Sequence, residues 1–296
     1  MQLIAYILIY PFLWLISILP FKLLYVVSDI VYVFLYRIFG YRTAVVKANL
    51  KLVFPEKTDK EITDIMGKFY HHLCDMILEA IKSMTISEAQ LKKHFVFSNI
   101  ELINALEKKG KSVMLICGHY GSWEWIFILQ KFVNSKGYAV YKPLGNKYFD
   151  KLVRGIRAKY NTDLISNKET IGTLMRSKKK GEFSISGFVS DQSPKIDKAF
   201  YWNPFMGIKV PMHTGVEVLS KRLDMAVVFF SVKRLKRGHY ETTFKTITED
   251  PKDFKDYEIT DIYFDLLEKQ IKEAPQYYLW THKRWKHKDK VPTKFQ

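Results

Sequence analysis

The chain has 296 residues, 48% of them hydrophobic, with 47 Lys and Arg against 30 Asp and Glu, a formal net charge of +17 at pH 7. That apolar fraction supports a substantial core and excludes a disordered chain, and the length allows one large domain with an appendage. Two cysteines, Cys74 and Cys117, exclude a disulfide framework and a thiolate zinc site. The positive charge asks for an acidic partner: an anionic membrane face, an acidic carrier protein or phosphorylated lipid, or nucleic acid.

Leu3 to Phe21 is a run of 19 uncharged residues with Trp14 inside it, nearly long enough to cross a hydrocarbon layer as a helix. Pro11 is expected to kink it and Pro20 to disturb its end. No charged segment precedes it and no small-residue cleavage site follows, so a removed signal peptide is not expected. Leu23 to Phe39 carries Asp29 and Arg37 and reads as an interfacial or core-packed helix. Arg42, Lys47 and Lys51 follow, which places the bulk of the chain on the cytoplasmic side. Residues 1–40 are thus expected to anchor to the membrane or lie at its interface, and residues 41–296 to form the main domain.

Arg42 to Phe54 has helical spacing and stops before Pro55. Thr58 and Glu61 form a capping box before a long helix through Ile62, Met66, Phe69 and Leu73, and Ser87/Gln90 and Ser98/Glu101 repeat the signature before two shorter helices. His71 and His72 are adjacent on the long helix and do not point the same way, so they read as packed or solvated histidines rather than metal ligands.

Ser112 to Cys117 reads as a short buried strand, and Gly118 and Gly121 bracket His119 and Tyr120 in a turn. Ser122 is a candidate N-cap for a helix from Trp123 to Phe132, with Glu124 in its first turn. The turn lets that carboxylate fold back towards the imidazole. A histidine with a carboxylate on one nitrogen is equipped to take a proton from a hydroxyl on the other. The carboxyl ends of strands in open α/β sheets are also where ligands bind.

Gly137 to Lys142 reads as a strand and Lys147 to Tyr160 as a helix on which Arg154 and Arg157 share a face. Phe183 to Ser190 is a buried-type strand that delivers Asp191 and Gln192 at its end. Ser193 to Val210 reads as a long loop suited to be a lid or a wall for acyl chains. Thr214 opens a helix, Met225 to Val232 and Tyr240 to Ile247 read as a strand pair, and Tyr257 to Lys272 is an amphipathic helix. The order gives an α/β fold, a mixed central sheet with helices on both faces.

The block from His119 to Glu124 resembles the H-x4-E motif of the late acyltransferases of lipid A biosynthesis, the lauroyl/myristoyl transferase family. Further blocks resemble that family in the right order: Arg157 (or Arg154) before Asn161, where the family usually has Gly; Asp191-Gln192; Tyr201 to Gly207; and the closing block Pro275 to Lys286 with Trp280, His282, Arg284 and Trp285. The resemblance implies a glycerolipid-acyltransferase-like fold and transfer of a fatty acyl group from an acyl carrier protein thioester to a hydroxyl of a lipid A precursor. It further implies the cytoplasmic face of the bacterial inner membrane, with anchoring through the N-terminus. It casts His119 as general base, Glu124 as its orienting partner and Arg157 as electrostatic support for an oxyanion or a phosphate. Trp123, Arg154, Asp191 and Gln192 become candidates for substrate binding. No cofactor, metal, nucleic-acid partner or acyl-enzyme is called for. The closing block's aromatics and cations suit a lipid headgroup boundary. Another polar lipid as acceptor, a metal-dependent hydrolase and a binding protein without catalysis stay as alternatives.

Overall fold

The computed structural model describes residues 1–295. The described residues form ten α-helices and nine strands, five of the helices preceding the first strand. The N-terminal half contains α1 (Gln2–Ile18), α2 (Phe21–Tyr32), α3 (Thr43–Val53), α4 (Asp59–Lys82), α5 (Glu88–His94), β1 (Phe95–Phe97), α6 (Glu101–Lys108), β2 (Val113–Cys117) and β3 (Lys136–Tyr141). The rest contains α7 (Lys147–Arg157), β4 (Thr162–Ser166), α8 (Thr170–Lys179), β5 (Ser184–Val189), β6 (Tyr201–Phe205), β7 (Ile208–Met212), α9 (Gly215–Leu223), β8 (Ala226–Lys236), β9 (His239–Thr248) and α10 (Glu258–Glu273).

Seven strands form one sheet in the order β1-β9-β8-β2-β5-β3-β4, and only the β8–β9 pairing is antiparallel. All five residues of β2 are buried because both faces of the sheet are covered. Met114 and Ile116 pack with α4, α9 and α10 on one face, and Val113, Leu115 and Cys117 pack with α5 and α6 on the other. The capping boxes at Thr58 and Ser87 form as the sequence suggests. The one at Ser98 does not: its hydroxyl goes to Glu241, and Asn99 bonds the backbone of Phe244 across to β9. Tertiary hydrogen bonds from the neighbouring strand outcompete the local cap.

The long apolar run of the N-terminus is two helices. Pro20 breaks it, and α1 at 17 residues reaches roughly 25 Å against the ~30 Å of a hydrocarbon core. Among the described residues no single helix is long and apolar enough to cross a membrane, and the one composite candidate, Phe21–Ile38 with Thr43–Val53, is bent by 83°. Gly40 and Arg42, both at positive φ, make that bend. The carbonyls at the end of α1 are capped by Lys82, whose ammonium reaches the oxygens of Ser17 and Leu19 at 2.8 Å. From α2, Ser28 and Tyr25 bond Asp75 and Glu79 of α4, while Arg237 after β8 binds Asp29 and Asp75 together. Large apolar side chains of α1 and α2, among them Ile7, Leu8, Phe12 and Trp14, remain exposed.

Two expectations are corrected. Trp123 to Lys131 is a 3-10 helix, not an α-helix, and Ser122 makes no side-chain cap. The expected long loop after Asp191 contains a β-hairpin, β6–β7, held to α10 by Tyr201 and Asn203 bonding Asp261. Its residues give no period-2 signal: Trp202 and Phe205, three apart, are buried and Pro204 between them is exposed.

Candidate active site

The register of the sheet builds the site. β2 and β5 are parallel neighbours with Cys117 opposite Val189, so the residues two further on, His119 and Asp191, leave the sheet side by side. His119 Nδ1 lies 2.6 Å from Asp191 Oδ1, and the His119 backbone N–H donates to Asp191 Oδ2 at 3.1 Å. A carboxylate accepts only, so the ring proton sits on Nδ1 and the lone pair is on Nε2, where it accepts from the Gln192 amide. The Gln192 amide nitrogen is 3.3 Å from that Nε2. Burial alone would push the imidazole pKa down; the charge and hydrogen bond of Asp191 outweigh it and hold it above the ordinary value. Burial likewise opposes the charge on Asp191, and His119 overcomes it to keep the carboxyl below its usual range.

The turn that presents the imidazole is tight for a packing reason. A Cβ at Gly118 would stand 2.5 Å from Leu267, and Gly121 adopts a positive φ with Val232 against it. The closing block then straps the turn from behind: Leu279 N–H donates to the His119 carbonyl and Gly121 N–H to that of Tyr277, each at 3.0 Å. This overturns the headgroup-boundary reading of that block. Trp280, Arg284 and Trp285 are buried, with the Arg284 guanidinium over the rings of Phe205 and Phe264. Rings beside cations suit a buried cation–π stack as well as an interface, so composition does not separate the two. Arg284 Nε and Nη1 are buried without a hydrogen-bond partner among the described residues. Asp191 and the Tyr278 and Tyr263 hydroxyls are the negative or polar groups that act on this cation.

Glu124 does not take the place expected of it. Both of its oxygens are held by Arg157, one by Nε at 2.9 Å and the other by Nη2, a bidentate pair. The imidazole's partner is Asp191, 72 residues away in sequence. The 3-10 winding after Ser122 aims Glu124 across at α7. Arg154 and Arg157, expected on one face, part company: Arg154 bonds the Tyr141 hydroxyl at 2.8 Å and sits over that ring, outside the groove described next. Asp191, expected near a polar headgroup or the arginine, is buried beneath His119. Trp123 stands edge-on to the imidazole with ring centroids 5.1 Å apart. Asn161 takes φ 71°, the left-handed backbone that its position calls for.

His119, Trp123, Glu124, Arg157 and Gln192 open onto one groove of about 830 Å³. A second cavity of about 300 Å³, lined by Leu73, Met76, Ile77 and Ala80 of α4 and by Val153 and Ile156 of α7, lies behind it. The two share Trp123, Glu124, Phe127 and Arg157, so the ion pair stands in their common wall. Burial pushes the Cys117 thiol well above its ordinary pKa, which disfavours a thiolate nucleophile there. A base fixed in its tautomer, a guanidinium in the same groove and apolar walls together suit proton removal from a hydroxyl beside a carbonyl that gains charge. Sequence reasoning missed Tyr278 and Arg284 behind Asp191; the density of polar and aromatic residues in the closing block was the available signal.

Residues 2–287 match the family model described as bacterial lipid A biosynthesis acyltransferase. The chain is 23% identical over 285 residues to a lipid A biosynthesis lauroyltransferase of Escherichia coli, covering 96% of this chain and 92% of that one. It is also 23% identical to a palmitoleoyltransferase of lipid A biosynthesis from the same organism over 252 residues (83% and 79% of the two chains), and to a lipid A biosynthesis acyltransferase of Haemophilus influenzae over 258 residues (85% and 80%).

Proposed function

Since this chain belongs to the bacterial lipid A biosynthesis acyltransferase family and is an acyltransferase, we propose that it moves a fatty acyl group from an acyl carrier protein thioester to a hydroxyl of a lipid A precursor. In this reading His119 Nε2 removes the proton of the acceptor hydroxyl. The oxygen then attacks the thioester carbonyl carbon, and the imidazolium returns the proton to the thiolate as the carbon–sulfur bond breaks. Asp191 keeps Nδ1–H in place and offsets the charge that forms on the ring. Arg157, aimed by Glu124, stabilises the oxyanion or an acceptor phosphate, and Gln192 and Trp123 contact the substrates. The observation that carries the reading is the 2.6 Å contact of His119 with Asp191 at the edge of a groove that also contains Arg157.

Two partners follow from the same reading. A net charge of +17 suits both an acidic carrier and an anionic acceptor. The exposed apolar residues of α1 and α2, followed by Arg37, Arg42 and Lys47, suit attachment to the cytoplasmic face of the inner membrane. The deciding experiment is mass spectrometry of total lipids from cells with and without the gene. Loss of one acyl chain from lipid A is expected. An unchanged lipid A together with loss of an acyl chain from another anionic lipid would replace the acceptor and leave the chemistry.

A further inference from the structure

We infer that the rim of the groove is itself a lipid-binding surface, a second contact with an anionic bilayer separate from the N-terminal helices; this rests on the function proposed above. The rim is formed by the segments that leave the carboxyl ends of β3, β4 and β5 and by the start of α9. It exposes large apolar groups where a water-facing edge calls for none: Phe200 is 66% exposed, Val218 57% and Ile171 45%, and all three line the groove with His119. Ile196 and Leu144 extend the exposed apolar edge beyond the groove.

Three features select a lipid surface as the occupant. First, cations alternate with these apolar groups: Lys142, Lys195 and Lys198 are exposed, and none forms an ion pair among the described residues. Bulky apolar tips flanked by unpaired lysines match the boundary between acyl chains and anionic headgroups. Second, the rim is continuous with the exposed apolar helix α1. Gln2 at the start of α1 donates to the Gly145 carbonyl at 3.1 Å, and Asn146 donates back to the Gln2 carbonyl at 3.2 Å, three and four residues past Lys142 and next to Leu144. Third, the acceptor is an amphiphile. A groove whose lip lies in the interface receives its hydrocarbon without passing it through water.

The test uses the full-length protein and changes only rim residues outside the groove lining. One variant is Lys195→Glu with Ile196→Glu, the other Leu144→Glu. Each is compared with wild type for flotation with vesicles of phosphatidylglycerol and phosphatidylcholine, and for initial rate on the acceptor in those vesicles and in nonionic detergent micelles. The expected result is a fall in flotation and in the vesicle rate on the order of tenfold, with the micellar rate within about twofold of wild type. Unchanged flotation and vesicle rate would overturn the inference, leaving contact to α1 and α2 alone. Equal loss of rate in micelles and vesicles with flotation intact would overturn it too, and would point to docking of the carrier protein. If wild type acylates no lipid A precursor in either presentation, the proposed function fails while flotation still reads the rim.

Discussion

His119 and Asp191 lie 72 positions apart in the chain and 2.6 Å apart in space, because β2 and β5 run parallel with Cys117 level with Val189. The carboxylate decides which nitrogen of the ring carries the lone pair and how basic it is. Asp191→Asn is therefore expected to lower kcat by on the order of 10³ to 10⁴-fold while leaving KM near wild type, since the amide presents the wrong tautomer. The same pair sets the pH dependence. As the proposed base His119 must be neutral, and Asp191 raises its pKa, so activity is expected to fall as pH drops through a point above the ordinary histidine value of about 6.5. A pH–rate profile whose acid limb lies below that value would contradict the assignment.

Glu124 bonds Arg157 and not the imidazole, which feels only its charge, and double-mutant kinetics separate the two arrangements. Glu124→Gln and Arg157→Met are each expected to cost about 10²- to 10³-fold in kcat, with the double variant hardly worse than either. In Glu124→Gln the acid limb moves to lower pH, because the Glu124 charge helps to hold the imidazole pKa up, but by less than in Asp191→Asn, where both the charge and the hydrogen bond are lost. Additive losses, or a limb that moves as far as in Asp191→Asn, would return Glu124 to the histidine.

Arg284 places a buried cation behind Asp191, with two of its nitrogens lacking a hydrogen-bond partner among the described residues. Arg284→Met removes the charge while keeping an apolar side chain among Phe205 and Phe264. Without the cation the Asp191 charge acts on His119 alone, so the acid limb moves to higher pH and the rate at neutral pH falls severalfold. Arg284→Lys restores most of both. Thermal stability holds or rises, because exchanging a poorly satisfied buried charge for an apolar group is often neutral or stabilising. A pH profile unmoved in the Met variant would make the residue a packing element only.

Glu79 is buried between Tyr25 and Tyr240, and burial together with the Asp75 charge pushes its pKa up to about 8. Its folded pKa exceeds the unfolded value, so the native state binds the extra proton. The stabilisation is complete below the unfolded pKa and is lost as pH rises towards about 8. Chemical denaturation from pH 5 to 8 is expected to show stability falling by up to about 1.4 kcal/mol per pH unit, and Glu79→Gln to flatten that slope. An identical slope in the variant would assign the dependence elsewhere.

Read from the residues alone, the chain already discloses most of its elements and the strand end that carries His119. Buried-type strands at Ser112 to Cys117 and Phe183 to Ser190, capping boxes at Thr58 and Ser87, and His119 at a strand end are local features, and local features survive folding because backbone geometry and side-chain periodicity act over a few residues. The short strands β1 and β4 and the hairpin β6–β7 escape that reading because neighbours supply their hydrogen bonds. Partner choice is of the second kind. An acid five residues from His119 looked available, yet a 3-10 turn carried it to Arg157, and strand register brought another from far along the chain. The closing block changed its place, from a supposed membrane edge to a buried strap on the His119 turn. Charge and spacing say which groups a chain owns, but a buried carboxylate binds whichever donor the packed sheet sets within 3 Å, and that distance exists only once the core has formed.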